Sequence, residues 1–223
     1  MWARILNAWL TFLYPPHCLL CKKALRQQPG LCHLCAEVAG CTTHERGVEL
    51  RLEGVAVYVL KEFNDEIRQL IHLLKYRGKV LPGRLLGRAL GHCLSRRLEI
   101  NKDWIVLPIP LHTARTRERG YNQSTIIARA LAKELGLNVL EKTLKRDRYT
   151  PSQTRLNREN RYQNVAGAFR VKDAKDIVGR QIVLVDDVVT TGATSRACWE
   201  ALCMAGAQRV VVAAVARPDF GDD

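Results

Sequence analysis

The chain has 223 residues, 47% of them hydrophobic, and its 35 Lys and Arg against 22 Asp and Glu give a formal net charge of +13. This composition indicates a globular protein with one good core and a small appendage, or at most two modest domains. The positive charge favours a polyanionic partner such as nucleic acid or a polyphosphate, with generic surface charge as the alternative. Eight cysteines fit a disulfide scaffold only in a secreted chain. Because no signal peptide is visible, we exclude that class and expect a cytoplasmic protein.

The first predicted element is a short amphipathic helix in residues 1–14. Its apolar side chains recur at helical spacing, at Trp2, Ile5, Leu6, Trp9, Leu10 and Leu13. The segment is too short to cross a bilayer, and no other transmembrane segment is expected. It would therefore pack on the domain, on a partner or on a membrane surface.

Two cysteine pairs follow, Cys18 with Cys21 and Cys32 with Cys35, each with two residues between its members. Two such turns can bring four sulfurs to tetrahedral positions around one Zn²⁺. The loop between the pairs is shorter than in common zinc ribbons, and redox-active or simply buried thiols are the alternative. We expect a structural zinc site in an N-terminal zinc-ribbon-like module that covers residues 1–45.

Strand and helix patterns alternate through residues 46–223, which predicts an α/β domain with a mostly parallel sheet. The strand patterns cover residues 55–60, 104–107, 165–171, 179–187 and 209–215, and the helix patterns cover residues 65–76, 83–98, 124–135 and 195–205. The second strand runs into Pro108, Ile109 and Pro110. Prolines at this point predict a stiff loop at the end of the strand.

Arginines are concentrated in two segments. Arg115, Arg117 and Arg119 lie at alternate positions of a predicted loop, and their guanidinium groups suit the phosphate oxygens of a pyrophosphate or a nucleic-acid backbone. Residues 146–164 are charged and poor in apolar side chains, which is typical of a lid or a disordered loop. The candidate lid or DNA contacts in this segment are Arg148, Gln153, Arg158, Arg161 and Asn164.

Aromatic residues make up only 6% of the chain, so a long stacking surface for bases is not expected. Tyr121, Tyr149 and Tyr162 are the candidates that lie close to arginines in the sequence. Packing inside the fold is an equally good interpretation of these tyrosines.

The chemically most informative stretch is residues 182–194. Four apolar residues run into Asp186 and Asp187, and a small, hydroxyl-rich loop then leads into a helix. The loop after a buried parallel strand lies at the carboxyl edge of the sheet, where α/β proteins bind ligands. Its N–H groups and hydroxyls suit a phosphate, and Gly192 allows close approach. The candidate phosphate-binding residues are Thr190, Thr191, Gly192, Ala193 and Thr194.

The adjacent carboxylates are unusual, because consecutive side chains at a strand end point in different directions. Sugar hydroxyls or a hydrated Mg²⁺ would satisfy them. The alternative is a buried strand followed by a capped helix, with Asp186 and Asp187 as solvated turn residues.

Residues 182–194 resemble the signature of type I phosphoribosyltransferases, in which four hydrophobic residues precede two acidic residues and a Thr-Gly-Gly/Ala-Thr ending. The resemblance implies a type I phosphoribosyltransferase fold, a Rossmann-like and mostly parallel sheet with flanking helices. It implies that Asp186 and Asp187 are catalytic residues that bind the ribose hydroxyls of phosphoribosyl pyrophosphate, with Mg²⁺. The Thr190–Thr194 loop would bind the 5′-phosphate, and Pro108, Ile109, Pro110 and Arg119 would complete the site.

The whole chain resembles the ComF family, which includes ComFC and GntX-like proteins. Four features carry this resemblance: the two cysteine pairs; Leu74-Lys75-Tyr76 before a glycine; Pro108-Ile109-Pro110 followed by Arg119-Gly120-Tyr121-Asn122-Gln123; and Gln153 with Arg158, Arg161, Asn164, Gly167, Ala168 and Phe169. The family usually has Phe in place of Tyr121. The resemblance implies a cytoplasmic protein that acts on single-stranded DNA during natural transformation, with a ComFA-like helicase as its partner.

Three functions are compatible with these residues. The first is a ComF-like protein that binds phosphoribosyl pyrophosphate and single-stranded DNA during DNA uptake. The second is a phosphoribosyltransferase that moves ribose 5-phosphate to a base or amine, with the arginines neutralising the departing pyrophosphate. The third is a regulator that only senses the nucleotide precursor. The acceptor pocket of an enzyme would lie near the cysteine module and residues 63–76, but the sequence identifies neither its base-reading residue nor the oligomeric state.

Overall fold

The structure is a computed structural model that describes Trp2 and residues 15–26, 29–42, 45–147 and 167–218. Within the predicted amino-terminal helix only Trp2 belongs to these ranges, and its side chain is exposed. Several candidate residues lie outside the described residues: Arg148, Tyr149, Gln153, Arg158, Arg161, Tyr162 and Asn164.

A six-stranded sheet forms the centre of the fold, with the strand order β1-β2-β8-β7-β3-β4. The strands are β1 (Val48–Leu52), β2 (Val55–Glu62), β3 (Trp104–Pro108), β4 (Asn138–Val139), β5 (Leu144–Arg146), β6 (Phe169–Val171), β7 (Gln181–Val188) and β8 (Arg209–Arg217). Only the β1–β2 pair of this sheet is antiparallel, and β5 and β6 form a separate two-stranded ribbon. The continuous apolar runs of β3, β7 and β8 follow from burial on both faces. The predicted mostly parallel α/β sheet is confirmed.

Helices cover both faces of the sheet. They are α1 (His33–Val38), α2 (Asp65–Tyr76), α3 (Leu81–Ser95), α4 (Thr113–Arg119), α5 (Gln123–Leu135) and α6 (Ala193–Met204). Buried side chains of α2, α3 and α5 form a core on one face, and those of α6 pack with the β5–β6 ribbon on the other. None of the described helices combines the length and hydrophobicity that a bilayer span requires.

The helices α3 and α5 pack with their backbones very close together. Three glycines of α3, Gly83, Gly87 and Gly91, recur every four residues and therefore face the same side of the helix. A Cβ atom at Gly91 would lie 2.9 Å from the Glu134 Cβ, and one at Gly87 would overlap the Ile127 carbonyl oxygen. The glycine contact fixes the position of α5, whose first turn lies at the carboxyl edge of the sheet.

The prediction of a loop at Arg115, Arg117 and Arg119 is wrong, because these residues lie in the helix α4. The His112 Nδ1 accepts a hydrogen bond of 3.2 Å from the Ala114 N–H and so caps the helix, which ends at Gly120 with φ of +79°. Residues four apart lie on the same side of a helix, so Arg115 and Arg119 share one side. Arg117 points away from them and is exposed.

Candidate functional site

The acid pair ends β7 at the carboxyl edge, and its two side chains have different protein partners. Asp187 is 4% exposed, and its carboxylate forms an ion pair with the Nζ of Lys75 from α2. Asp186 is half-buried and accepts a hydrogen bond of 3.1 Å from the Ser124 hydroxyl at the start of α5. Its Oδ1 also accepts the N–H of Asp187 at 2.8 Å. Asp186 is therefore the more exposed residue of the pair and has no cationic side chain bonded to it among the described residues.

Burial raises the pKa of Asp186 from its ordinary 3.8 to about 7, and the adjacent charge of Asp187 acts in the same direction. The hydrogen bonds from the Asp187 N–H and Ser124 and the charge of Lys75 oppose this rise. The Asp186 carboxyl therefore keeps its proton to a higher pH than an ordinary aspartate does. A perturbed carboxyl at a sheet edge is typical of functional sites, and a cation beside it would favour the charged form.

The loop after the acid pair begins α6, and Gly192 is its critical residue. Gly192 adopts φ of +82°, and a Cβ atom there would lie 2.8 Å from the Leu52 Cβ. The first N–H groups of α6 have no acceptor within the helix, so they can bind an anion. The Ser195 Oγ is buried and has no hydrogen-bond partner among the described residues. These donors suit a phosphate at the start of α6.

The other candidate phosphate-binding residues lie around this turn. Thr190, Thr191 and Thr194 are half-buried, whereas Ala193 is buried. Three hydroxyl groups therefore remain partly accessible beside the helix start.

The proline loop lies beside the acid pair at the same edge. Ile109 donates its N–H to the Val185 carbonyl of β7 at 2.8 Å. Asn122 donates from its amide to the Ile109 carbonyl at 2.9 Å and accepts the Ser124 N–H at 3.1 Å, which caps α5. Pro108 pairs with Val185 in the sheet register. The loop 108–110 and the first turn of α5 are thus held together next to Asp186.

The three arginines of α4 lie on two different sides of the helix. Arg119 donates to the Gln123 Oε1 at 3.0 Å, one residue from the Ser124 that contacts Asp186. The charge of Arg115 acts on the half-buried Arg146, and the guanidinium of Arg146 also interacts electrostatically with Asp186. Arg119 and Arg115 are thus each connected to a residue near the acid pair, whereas Arg117 is exposed on the other side of α4.

Lys75 and Ser124 are the contacts to the acid pair that the sequence interpretation missed. Lys75 belongs to a family motif and to a basic helix end that either complements the helix dipole or faces an anion, and its place after four buried apolar positions of α2 gave no sign of its partner. Ser124 follows the Asn122 cap, where a hydroxyl usually serves the helix itself. Tyr121 stabilises the fold, because its hydroxyl donates a hydrogen bond to the Leu74 carbonyl of α2.

The four predicted metal ligands come together in the N-terminal module. The Sγ atoms of Cys18, Cys21, Cys32 and Cys35 all lie within 4.8 Å of one another. The Sγ atoms of Cys21 and Cys32 are 3.6 Å apart, close to the roughly 3.8 Å expected for two thiolates on one tetrahedral Zn²⁺. Cys32 caps α1 and Cys35 lies in its first turn, so both sulfurs face the first pair. The arrangement can hold a metal ion.

The pKa values of two of these thiols are shifted in opposite directions, in a way that a bound cation would relieve. Although burial opposes it, hydrogen bonds from backbone N–H groups, first that of Cys32, lower the pKa of Cys18 to about 6. Burial and the neighbouring sulfurs raise the pKa of Cys35 to about 12. A second thiolate is thus disfavoured beside the first, and a bound cation would remove that penalty.

The cysteine module packs on the sheet domain. Ala39 is buried in the same core as α2 and α3, and the Val38 carbonyl accepts a hydrogen bond of 2.9 Å from the side chain of Asn64. Asn64 caps α2 by accepting the Ile67 N–H at 2.9 Å. The module and α2 are therefore directly connected.

The chain is similar to a known protein family and to several named proteins. A family model described as the phosphoribosyl transferase domain matches residues 118–219. The DNA utilization protein YhgH of Salmonella typhi is 31% identical over 201 residues, which cover 87% of this chain and 87% of that protein. Competence protein F of Haemophilus influenzae is 27% identical over 206 residues, covering 90% of each chain.

Adenine phosphoribosyltransferase from Saccharomyces cerevisiae is a similar solved structure, with 15% identity, a TM-score of 0.43 and coverage of 82% of this chain and 90% of that chain. The fold described above is the type I phosphoribosyltransferase fold, with a four-cysteine cluster in its N-terminal module. The similarity to the DNA utilization and competence proteins extends over nearly the whole chain. The chain belongs to the ComF family.

Proposed function

We propose that this protein binds phosphoribosyl pyrophosphate with Mg²⁺ at the carboxyl edge of its sheet and binds single-stranded DNA in a DNA-uptake role. The observation that carries the first part is that Asp186 lies near the end of β7, in the segment that leads to a helix start whose first N–H groups receive no side-chain cap among the described residues. The names of the related competence and DNA utilization proteins support the second part. A helicase partner and a cytoplasmic location rest on the family resemblance.

Each group of the ligand has a matching group in the site. The start of α6, with Gly192 and the surrounding hydroxyls, would hold the 5′-phosphate. Asp186 would accept a ribose hydroxyl or bind a hydrated Mg²⁺, an ion that proteins commonly hold by one or two carboxylates and substrate phosphates. Arg115 and Arg119 would face the pyrophosphate. Asp187, engaged by Lys75, would fix the end of β7 rather than contact the ligand directly.

Ribosyl transfer to a base or amine is the second candidate function. The observation that favours it is the pKa of about 7 for Asp186, which suits a group that accepts a proton from an acceptor at neutral pH. Pyrophosphate release in the presence of purine and pyrimidine bases or small amines would support this activity. Binding of phosphoribosyl pyrophosphate without release would favour the binding protein.

We also propose that zinc is the ion held by the cysteine cluster and that the module covers residues 1–45. The phosphoribosyltransferase-like domain would then cover residues 46–223. A donor set of four sulfurs favours Zn²⁺ over Mg²⁺, which prefers oxygen.

The test of the ligand site is calorimetric titration of phosphoribosyl pyrophosphate and Mg²⁺ into three proteins. The wild type should bind, and Asp186→Asn should bind at least about tenfold more weakly because one charged contact is lost. Asp103→Asn is the matched control, since Asp103 is exposed and precedes β3 at the opposite edge of the sheet. Absence of binding to the wild type would refute the proposed ligand.

A further inference from the structure

The exposed side of α2 carries an unusual series of planar side chains. Arg68, His72 and Tyr76 recur every four residues, so they share one face of the helix, and all three are exposed. Tyr76 is 63% exposed, a high value for a large aromatic side chain. The opposite face of α2 supplies the core with four buried residues: Ile67, Leu70, Ile71 and Leu74. Packing of the fold therefore does not account for the exposed face.

Each of these planar groups contacts another planar side chain. The Arg68 Cζ lies 5.5 Å from the centroid of the Phe63 ring, and the rings of His72 and Tyr76 have centroids 5.1 Å apart with an angle of 44°. The Arg119 Cζ lies 5.3 Å from the centroid of the Tyr76 ring. We call these five side chains the α2 ladder. It places three rings and two guanidinium groups along one surface.

The α2 ladder lies next to the acid pair and within a cationic surface. Lys75 precedes Tyr76 and holds the end of α2 on Asp187. Beyond Tyr76, Arg77 and Lys79 are both exposed. A partner of this surface must therefore offer flat apolar groups and negative charges at short intervals.

We propose that the α2 ladder binds single-stranded nucleic acid by stacking its bases, with Arg68, Arg77 and Lys79 facing the phosphates. This inference rests on the DNA-binding part of the proposed function and locates it on the molecule. Aromatic rings combined with arginines are the usual means of binding single strands without sequence preference. The eight-residue step from Arg68 to Tyr76 spans about 12 Å of helix, enough for two or three nucleotides.

A second basic surface offers a contrast. The groove between α3 and α5 is lined by the cations Arg84, Arg88, Arg129 and Lys133, but its other lining residues are Ile126, Ala130 and Glu134. Glu134 contacts Arg88 at 3.7 Å, and Glu141 binds Arg129 through two hydrogen bonds. Arg68 of the ladder is likewise paired with Asp65 at 3.1 Å on the exposed surface, so paired charge does not distinguish the two surfaces. The groove differs in having no aromatic ring for stacking among the described residues that line it. The α2 ladder is therefore the better fit to a single strand.

The test is fluorescence anisotropy with a short labelled oligothymidylate at several salt concentrations. Tyr76→Ala should weaken binding about tenfold because one stacking contact is lost. The slope of log affinity against log salt should stay as in the wild type, since Tyr76 carries no charge. Tyr76→Phe should bind like the wild type, because it keeps the ring.

Arg84→Ala is the matched control for charge, because Arg84 is an exposed helical arginine outside the ladder. Arg68→Ala should reduce the salt slope by about one unit, and more than Arg84→Ala does. Thermal unfolding checks that every variant is folded. Wild-type affinity of Tyr76→Ala, or a larger loss with Arg84→Ala than with the ladder variants, would overturn this location while DNA binding stands. A wild type that binds no oligonucleotide would refute the DNA-binding function as well.

Discussion

Lys75 of α2 and Asp187 of β7 form an ion pair that ties the last turn of a helix on one face of the sheet to the strand that carries the acid pair. Both side chains are largely buried, with 20% and 6% of their surfaces exposed. A buried charge that loses its partner is costly, whereas an exposed pair contributes little. The ion pair therefore links the stability of the fold to the geometry of the site.

Replacing Lys75 by methionine tests that link. We expect Lys75→Met to lower the free energy of unfolding by about 3 kcal/mol, because Asp187 becomes an unpaired buried charge. The double variant Lys75→Met, Asp187→Leu should recover part of this loss, since no charge then remains to be paired. Urea titration measures both values. The control is Lys61→Met, which breaks the more exposed pair with Glu45 and should cost less than about 1 kcal/mol; equal losses would contradict the prediction.

The raised pKa of Asp186 predicts a specific pH dependence of stability. The folded state holds this proton up to about pH 7, whereas the unfolded chain releases it near the ordinary 3.8. The resulting stability is present at low pH and is lost as the pH rises from about 4 to about 7. The free energy of unfolding of the wild type should therefore fall relative to that of Asp186→Asn across this range. Urea titrations at several pH values would show a constant difference if the pKa is ordinary.

Gly192 should be sensitive to substitution for two separate reasons. Gly192→Ala meets a left-handed backbone and a Cβ contact of 2.8 Å with Leu52, so we expect a loss of about 2–3 kcal/mol and of phosphoribosyl pyrophosphate binding. Gly54→Ala is a matched control, because Gly54 has the same φ of +82° and open space around it. Its cost should stay near 1 kcal/mol. Equal effects in thermal unfolding would rule out the contact with Leu52 as a cause.

The cysteine cluster predicts a metal content that depends on particular thiols. Purified protein should contain about one zinc per chain by elemental analysis, and Cys35→Ser should lose it along with part of its thermal stability. Cys41→Ser is the control, because Cys41 lies in the same module but outside the cluster. Full zinc content in Cys35→Ser would eliminate Cys35 as a ligand.

The sequence predicted best where the physical signal is local. The apolar run of β7 and the four-residue spacing in α2 indicated both elements, and the predicted helix 65–76 matches α2 (Asp65–Tyr76). The helix α4 was missed because it is short and polar, and because a histidine side chain caps it. The partners of the acid pair depend on α2 and α5 folding onto β7 from distant parts of the chain. Periodicity within one segment carries no information about such contacts.

The helix α2 is held in place at both of its ends. The α2 helix is held at its first residue by Asn64, which bonds the cysteine module, and near its last residue by the Lys75 ion pair with β7. The cysteine cluster and the acid pair lie far apart along the sequence, yet each is connected to an end of the same helix. The two candidate binding sites therefore share one rigid structural element.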